Sequence, residues 1–285
     1  MTNPLTKTKT WGEALDYTIR YRWKHLSSAK TCLINANHIT NYCGRSFPLI
    51  HMGKSRWWLE LIADMKNQGR ASNTILHILS AATTVLRFTK LADLHDIAVP
   101  DFERPKPGEH RLTWFTKEDV QKLAFTAVDV FGRQDLADAI VFSAYTGVRQ
   151  GELLKLKSTD WDVTHSQIWV GGKPGRVAKA KNVRAIALNP KVKDIVMDRL
   201  DRSFLFKGDW TNKDQLYAAF KKVRDYCGFE DDLVWHSLRH SFGTWMGAVT
   251  HPRQVMEALG HATIEMSLKY CKASDTAVRD AVLAI

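Results

Sequence analysis

Four short stretches of this 285-residue chain hold side chains suited to handling a phosphate. In Thr146-Gly-Val-Arg149-Gln-Gly-Glu152, a glycine turn precedes an arginine at a helix start. Such an arginine projects, and its guanidinium can hold two phosphate oxygens at once. Glu152, one turn on, can orient it. In His236-Ser-Leu-Arg239-His240, the i,i+3 spacing puts His236 and Arg239 on one helix face. A cation and an imidazole aimed at one point suit negative charge that grows in a transition state. In Leu259-Gly-His261-Ala-Thr-Ile-Glu-Met-Ser-Leu-Lys-Tyr270, Gly260 reads as a helix stop and Thr263 as the next N-cap, with His261 in the turn. Tyr270 follows about two turns later. Its phenol, with an ordinary pKa of about 10, needs cations or a base before it attacks anything. The fourth stretch is a basic turn holding Lys173, Arg176, Lys179 and Lys181. There Lys179 or Lys181 could protonate a leaving oxygen, or simply touch a phosphate. Singly, each stretch also has an ordinary explanation: a surface ion pair, a polar helix, a packed tyrosine, a solvated turn.

These residues need elements to position them. Apolar periodicity predicts helices over residues 11–25, 28–42, 55–67 and 73–90, enough to close a small bundle. Residues 99–111 carry three prolines and a glycine and read as an extended connector. Beyond it, Thr116 looks like an N-cap with acids in the first turn. Helices are predicted over 116–130, 134–146, 149–157, 190–201, 212–227, 236–248, 252–259 and 263–272. Ser166-Gln-Ile-Trp-Val and Val183-Arg-Ala-Ile-Ala-Leu alternate like strands flanking the basic turn. The expected domains are therefore 1–98, a linker over 99–111, a second domain over 112–275, and a tail over 276–285.

Charge narrows the function. Lys and Arg outnumber Asp and Glu 41 to 30, for a net charge of +11. Residues 1–90 hold 13 basic and 4 acidic residues, and residues 163–193 hold seven basic and no acidic ones. Two separate basic regions fit a partner with a phosphate backbone. No apolar run approaches the ~18 residues of a membrane span, and no signal-peptide core is present. The four cysteines form no Cys-x-x-Cys pair, so neither a zinc finger nor a disulfide framework is expected, and a reducing, cytoplasmic setting follows. No carboxylate cluster suggests a metal, and no phosphate-binding Walker loop suggests ATP.

Together, in this order, the stretches resemble the tyrosine recombinase (phage integrase) family: Thr-Gly-x-Arg-x-x-Glu, a hairpin lysine, His-x-Leu-Arg-His, Leu-Gly-His, and a tyrosine nine residues after that histidine. The resemblance is close over about 112–275 and extends to the first domain by layout only. It implies a mainly α fold with a small β-sheet: a helical DNA-binding bundle and an α+β catalytic domain closing as a C-shaped clamp on duplex DNA. It implies that Tyr270 attacks a phosphodiester, leaving a 3′-phosphotyrosyl link and a free 5′-hydroxyl. Arg149 and Arg239 would clamp the non-bridging oxygens, His261 would bond the phosphate, and His236 would accept the phenol proton. Lys179, five residues before Arg184, would protonate the departing oxygen, with Lys181 as the alternative. Glu152 and His240 would support the site, and Lys173, Arg176 and Arg184 would touch DNA. No cofactor is implied. The implied working state is a homotetramer on two specific duplex sites in a bacterial or phage-infected cell, with the tail stripe of Val278, Ala281, Val282 and Ile285 docked on a neighbour. A mobile-element role is expected on the same grounds. A type IB topoisomerase and a non-catalytic DNA-binding protein are the alternatives.

Overall fold

A computed structural model describes residues 7–108, 112–173, 183–207, 210–271 and 283. The chain divides between residues 110 and 111 into two units. The first begins with α1 (Trp11–Thr18), opened by a capping box in which Thr10 accepts from the Glu13 N–H and the Glu13 carboxylate accepts from the Thr10 N–H. This satisfies two donors that a helix start otherwise leaves bare. The predicted helix over 11–25 continues past α1 as a π-helical turn over Ile19–Trp23. There follow α2 (Ala29–Cys43), α3 (Leu49–Met52), α4 (Ser55–Asn67) and α5 (Ser72–Leu91). The short α3 has no counterpart in the sequence pattern, because four residues are too few to show a period.

Trp11, Leu15, Trp58, Leu61, Ile75, Ile78, Val85 and Leu86 are all essentially excluded from solvent and form the first core. The two buried indoles keep their polar edges satisfied: Trp11 Nε1 donates to Thr40 Oγ1 at 2.8 Å, and Trp58 Nε1 donates to the Met52 carbonyl at 2.7 Å. The connector is free of helix as far as residue 108, and it is laid along this unit. Phe102 stacks on Trp58 with ring centres 4.7 Å apart, Ser55 Oγ donates to the Asp101 carbonyl at 2.8 Å, and the Gly108 N–H donates to Asn73 Oδ1.

One polar group in this unit is deeply buried. The His95 ring is 7% exposed and fixed at both nitrogens. Its Nδ1 accepts from the Ile97 N–H at 3.1 Å, so the proton sits on Nε2, which donates to Thr89 Oγ1 at 2.8 Å. The Thr89 hydroxyl in turn donates to the Val85 carbonyl. His95 thereby pins the chain leaving α5 to the helix itself.

The second unit opens with α6 (Lys117–Asp129), whose N-cap Thr116 forms a capping box with Asp119. It packs against α7 (Gln134–Thr146), which Gly147 terminates in the left-handed region at φ 64°. A short α8 (Gln150–Leu153) leads into an antiparallel sheet in the order β1 (Trp161–Asp162), β2 (Gln167–Val170), β3 (Arg184–Ala187). Ile168 pairs with Trp161 on one side and Ile186 on the other, and Ile168, Val170 and Ile186 face inward. Helices α9 (Pro190–Met197), α10 (Lys213–Tyr226), α11 (Trp235–Gly247), α12 (Pro252–Leu259) and α13 (Glu265–Leu268) complete the unit. Phe115, Phe142, Ile168, Phe220, Trp235 and Leu238 lie in its core.

Three helices are shorter than their sequence pattern. α8 stops at Leu153, α9 at Met197, and the predicted 263–272 helix contracts to α13. α13 contracts because the chain after it tightens: the Tyr270 N–H bonds to the Ser267 carbonyl and the Cys271 N–H to the Leu268 carbonyl, three residues back in each case. Ile264, rather than Thr263, stands at its start. Among the described residues no helix is long and apolar enough to cross a membrane. Arg176, Lys179, Lys181 and the tail stripe lie outside the described residues.

Candidate active site

Gly147 explains why a glycine precedes Arg149. A Cβ there would sit 2.5 Å from the Phe242 ring and 2.7 Å from Leu259, and the positive φ already disfavours a side chain. The tight approach lets the Gly147 carbonyl accept a 2.6 Å bond from Arg239 Nη1. Arg239 Nη2 donates to the Leu259 carbonyl, also at 2.6 Å. The guanidinium of Arg239 is thus locked between the end of α7 and the end of α12, and the residue is 2% exposed. Burial and the nearby Arg149 and Arg184 press its pKa down to about 9, so it remains charged at neutral pH.

Arg149 is the more open of the two, with its side chain 38% exposed. It starts α8. Its N–H donates to Glu152 Oε2, and its Nη1 donates to Glu152 Oε1, both at 2.9 Å. The same carboxylate binds Arg184, whose Nη2 donates to Oε2 at 2.8 Å and whose Nη1 donates to Oε1 at 3.2 Å. Burial alone would raise the Glu152 pKa, but the bonds from Arg184 and Arg149 outweigh it and hold it at about 2. From sequence, Arg184 is a DNA contact. The structure instead makes it an internal brace: it is 7% exposed, and its remaining Nε donates to the Ala258 carbonyl. All three guanidinium nitrogens are engaged with the protein, because β3 runs inward beneath the end of α12. Lys173 is half-buried and donates to the Trp161 carbonyl at 2.7 Å.

On α11, His236 and His240 stand one turn apart, their rings edge to face at 4.7 Å. His236 is the more exposed of the two, though its ring is partly covered, and His240 is half-buried. His240 Nδ1 lies 2.7 Å from the Tyr270 hydroxyl. His261, in the turn after α12, lies nearly parallel to the Tyr270 ring at 6.0 Å and is held through Nδ1 by the buried Ser267 hydroxyl at 2.7 Å. Burial, together with the surrounding cations, lowers all three imidazoles: His236 by direction, His261 to about 4 and His240 to about 3. They are therefore neutral at pH 7.

Tyr270 is 5% exposed, in a small apolar cluster with Val255 and Leu259. Burial raises its pKa, against the pull of Arg239 and Arg149. The room for it is cut into α11. A Cβ on Gly243 would meet the phenol ring at 2.8 Å, and one on Gly247 would meet the Tyr270 carbonyl oxygen at 2.4 Å. The site thus holds two connected groups, His236, His240, Tyr270 and His261 through a bond and ring contacts and Arg149 with Glu152 through an ion pair, while Arg239 and Arg149 reach Tyr270 through their charge.

Four contributors were not singled out from sequence. Gly243 and Gly247 carry a faint signal in their four-residue spacing. Ser267 is visible only once the turn folds back on His261. Lys269, whose ammonium lies 5.0 Å from the Tyr270 ring centre, has no sequence signal beyond adjacency.

Comparison with known proteins supplies the family. Residues 113–277 match the model of the phage integrase family. Tyrosine recombinase XerA of Thermococcus onnurineus is 25% identical over 240 residues, covering 80% of each chain. Tyrosine recombinase XerC of Alcanivorax borkumensis is 28% identical over 222 residues, covering 74% of this chain and 72% of its own. Among solved structures, the Tn1549 transposon integrase in complex with circular-intermediate DNA aligns with a TM-score of 0.80 at 19% identity, over 97% of this chain and 99% of that one. A lambda integrase tetramer bound to a Holliday junction aligns with a TM-score of 0.73 at 16% identity, over 90% and 79%. The chain belongs to the phage integrase family. It is a site-specific tyrosine recombinase, an enzyme that breaks and rejoins DNA strands.

Proposed function

We propose that Tyr270 is the nucleophile and that it forms a 3′-phosphotyrosyl bond while releasing a 5′-hydroxyl. Arg149 and Arg239 hold the non-bridging oxygens and stabilise the charge of the pentavalent state. His261 donates to the same phosphate, and Lys179, or Lys181 in its place, protonates the leaving 5′-oxygen. Attack by a 5′-hydroxyl from a partner duplex then reverses the step on a new end. One phosphoester replaces another, so the exchange needs no ATP. The working assembly is a homotetramer on two specific duplex sites, each protomer lending its 276–285 tail to a neighbour. Lys173 and Arg176 add phosphate contacts.

The observation that carries this reading is the grouping of two arginines and three neutral imidazoles around one buried phenol. Neutral imidazoles can take or share a proton, while the guanidiniums remain charged. In the test, Tyr270→Phe is mixed with a nicked duplex carrying a recombination site and run on a denaturing gel. Covalent protein–DNA adduct is expected to fall below detection, at least 1,000-fold by the usual weight of a nucleophile. Duplex affinity should stay within about twofold, because it comes from Lys and Arg contacts to phosphates. An adduct that persists places the nucleophile elsewhere.

A further inference from the structure

One face of α11 carries His236, His240, Gly243 and Gly247 in succession. The two glycines leave space for the Tyr270 ring and backbone. The ring therefore lies along α11 at a fixed height, and its hydroxyl arrives at the second histidine. The Tyr270 hydroxyl bonds to His240 Nδ1 at 2.7 Å, not to His236, which sits one turn further out. The direction of the bond follows the tautomer of His240, and proton acceptance needs the one that carries its proton on Nε2. A neutral imidazole with Nδ1 free accepts, and the phenol donates.

We propose that His240, rather than His236, positions the Tyr270 hydroxyl and accepts its proton as the phenol attacks. The proposal rests on Tyr270 being the nucleophile. In the step, the Tyr270 Oη–P bond forms and the P–O5′ bond breaks. The phenol proton passes to His240 Nδ1, giving an imidazolium. The 5′-oxygen leaves with a proton from Lys179 or Lys181. In the reverse step the incoming 5′-hydroxyl returns a proton to that lysine, and the released phenolate recovers its own from His240.

The charges around His240 make this acceptor conditional on substrate. Facing it are His236 and Arg239 of α11, His261 of the preceding turn, and Lys269 and Tyr270 after α13. In the free protein, burial and these neighbours keep the imidazole a weak base, and the phenol keeps its proton. A phosphodiester set between Arg239, Arg149 and His261 brings a negative charge into the same cluster. That charge offsets the cations and restores the basicity of His240. Proton transfer is thus enabled where a phosphate is in place to be attacked, and the resting tyrosine is protected from ionising without a target.

The test separates holding from proton transfer. His240→Asn keeps an amide oxygen near the Nδ1 position but cannot take a proton, whereas His240→Ala keeps neither. Single-turnover cleavage of a nicked duplex is followed between pH 5.5 and 9 for both variants and for His236→Ala, with duplex affinity and melting temperature as controls on folding. His240→Asn is expected to cleave about 100-fold more slowly. It should lose the acidic limb of the pH profile and gain nothing from a substrate whose leaving 5′-oxygen is replaced by sulfur. His236→Ala is expected to retain the acidic limb. Cleavage by His240→Asn at the unsubstituted rate, or loss of the limb in His236→Ala instead, overturns the proposal. Should His240→Ala fail to fold, the Asn variant still decides. An adduct formed by Tyr270→Phe would overturn the nucleophile assignment itself, a separate failure.

Discussion

Each unit buries histidine, and in each, burial drives the imidazole toward neutrality. The partners differ. His95 in the first unit is closed at both nitrogens, by a backbone N–H on one side and a hydroxyl committed to its own helix on the other. In the second unit, His240 is bonded to a phenol and His261 to a serine hydroxyl, with cations on several sides. A lowered pKa is common to all of them and separates nothing. What separates a structural histidine from a chemical one is whether its bond must survive for the protein to work or must change as it works.

Three substitutions test that distinction, in descending order of effect. Glu152→Gln should be the most damaging, since it strips Arg184 of its counterion inside the protein. Breaking a buried ion pair costs about 3 kcal/mol or more. In a unit of this size that lowers the melting temperature by roughly 6–12 °C. Cleavage per folded molecule should also fall about 100-fold, because Arg149 loses its guide. Normal cleavage at low temperature would show that Arg149 needs no brace.

His95→Ala should cost about 2 kcal/mol by leaving the Ile97 N–H and the Thr89 hydroxyl short of a partner. Cleavage per folded molecule should not change. The effect should depend on pH. Burial, with Lys90 close by, lowers the His95 pKa from its ordinary 6.5. The unfolded chain then binds more protons below that value. The stabilisation from His95 is complete above pH 6.5 and drains away as pH falls toward the lowered pKa. Denaturation midpoints of the two proteins should therefore converge on acidification. If they diverge, His95 is not held neutral.

Ser267→Ala should have the smallest effect, about 1 kcal/mol, and should show it in cleavage rate rather than in stability, since it frees the His261 ring to turn. A loss confined to stability would place His261 with His95 among the structural histidines, and the comparison would fail.

Much of the fold is legible in the sequence because its signals are local. α4, α7 and α12 occupy the predicted residues, since Trp57, Trp58, Leu61 and Ile62 repeat at helical spacing, Gly147 and Gly260 stop their helices, and Pro252 starts one. The order of Arg149, His236, Arg239, His261 and Tyr270 is likewise written in short motifs. The sequence does not show which basic residues face inward. Arg184 belongs to a basic run and looks like a DNA contact, but its position is decided by a carboxylate 32 residues away and a carbonyl 74 away. Nor does spacing tell which histidine meets the tyrosine. His236 and His240 share a face, and only the depth at which Tyr270 settles on Gly243 selects between them.

The crowding of cations has a consequence for how the protein behaves in salt. Arg149 and Arg184 weaken the hold of Arg239 on its proton, Arg239 does the same to Lys269, all four cations depress the His261 imidazole, and Glu152 sets a carboxylate among them. Folding without DNA therefore compresses like charges into one small volume. Dissolved ions relieve that repulsion and strengthen the free catalytic unit, while the same ions compete for the phosphates and weaken the complex. Ionic strength thus pulls the solitary enzyme and the engaged one in opposite directions. In the proposed function, the duplex itself is the counterion for which the second unit is built.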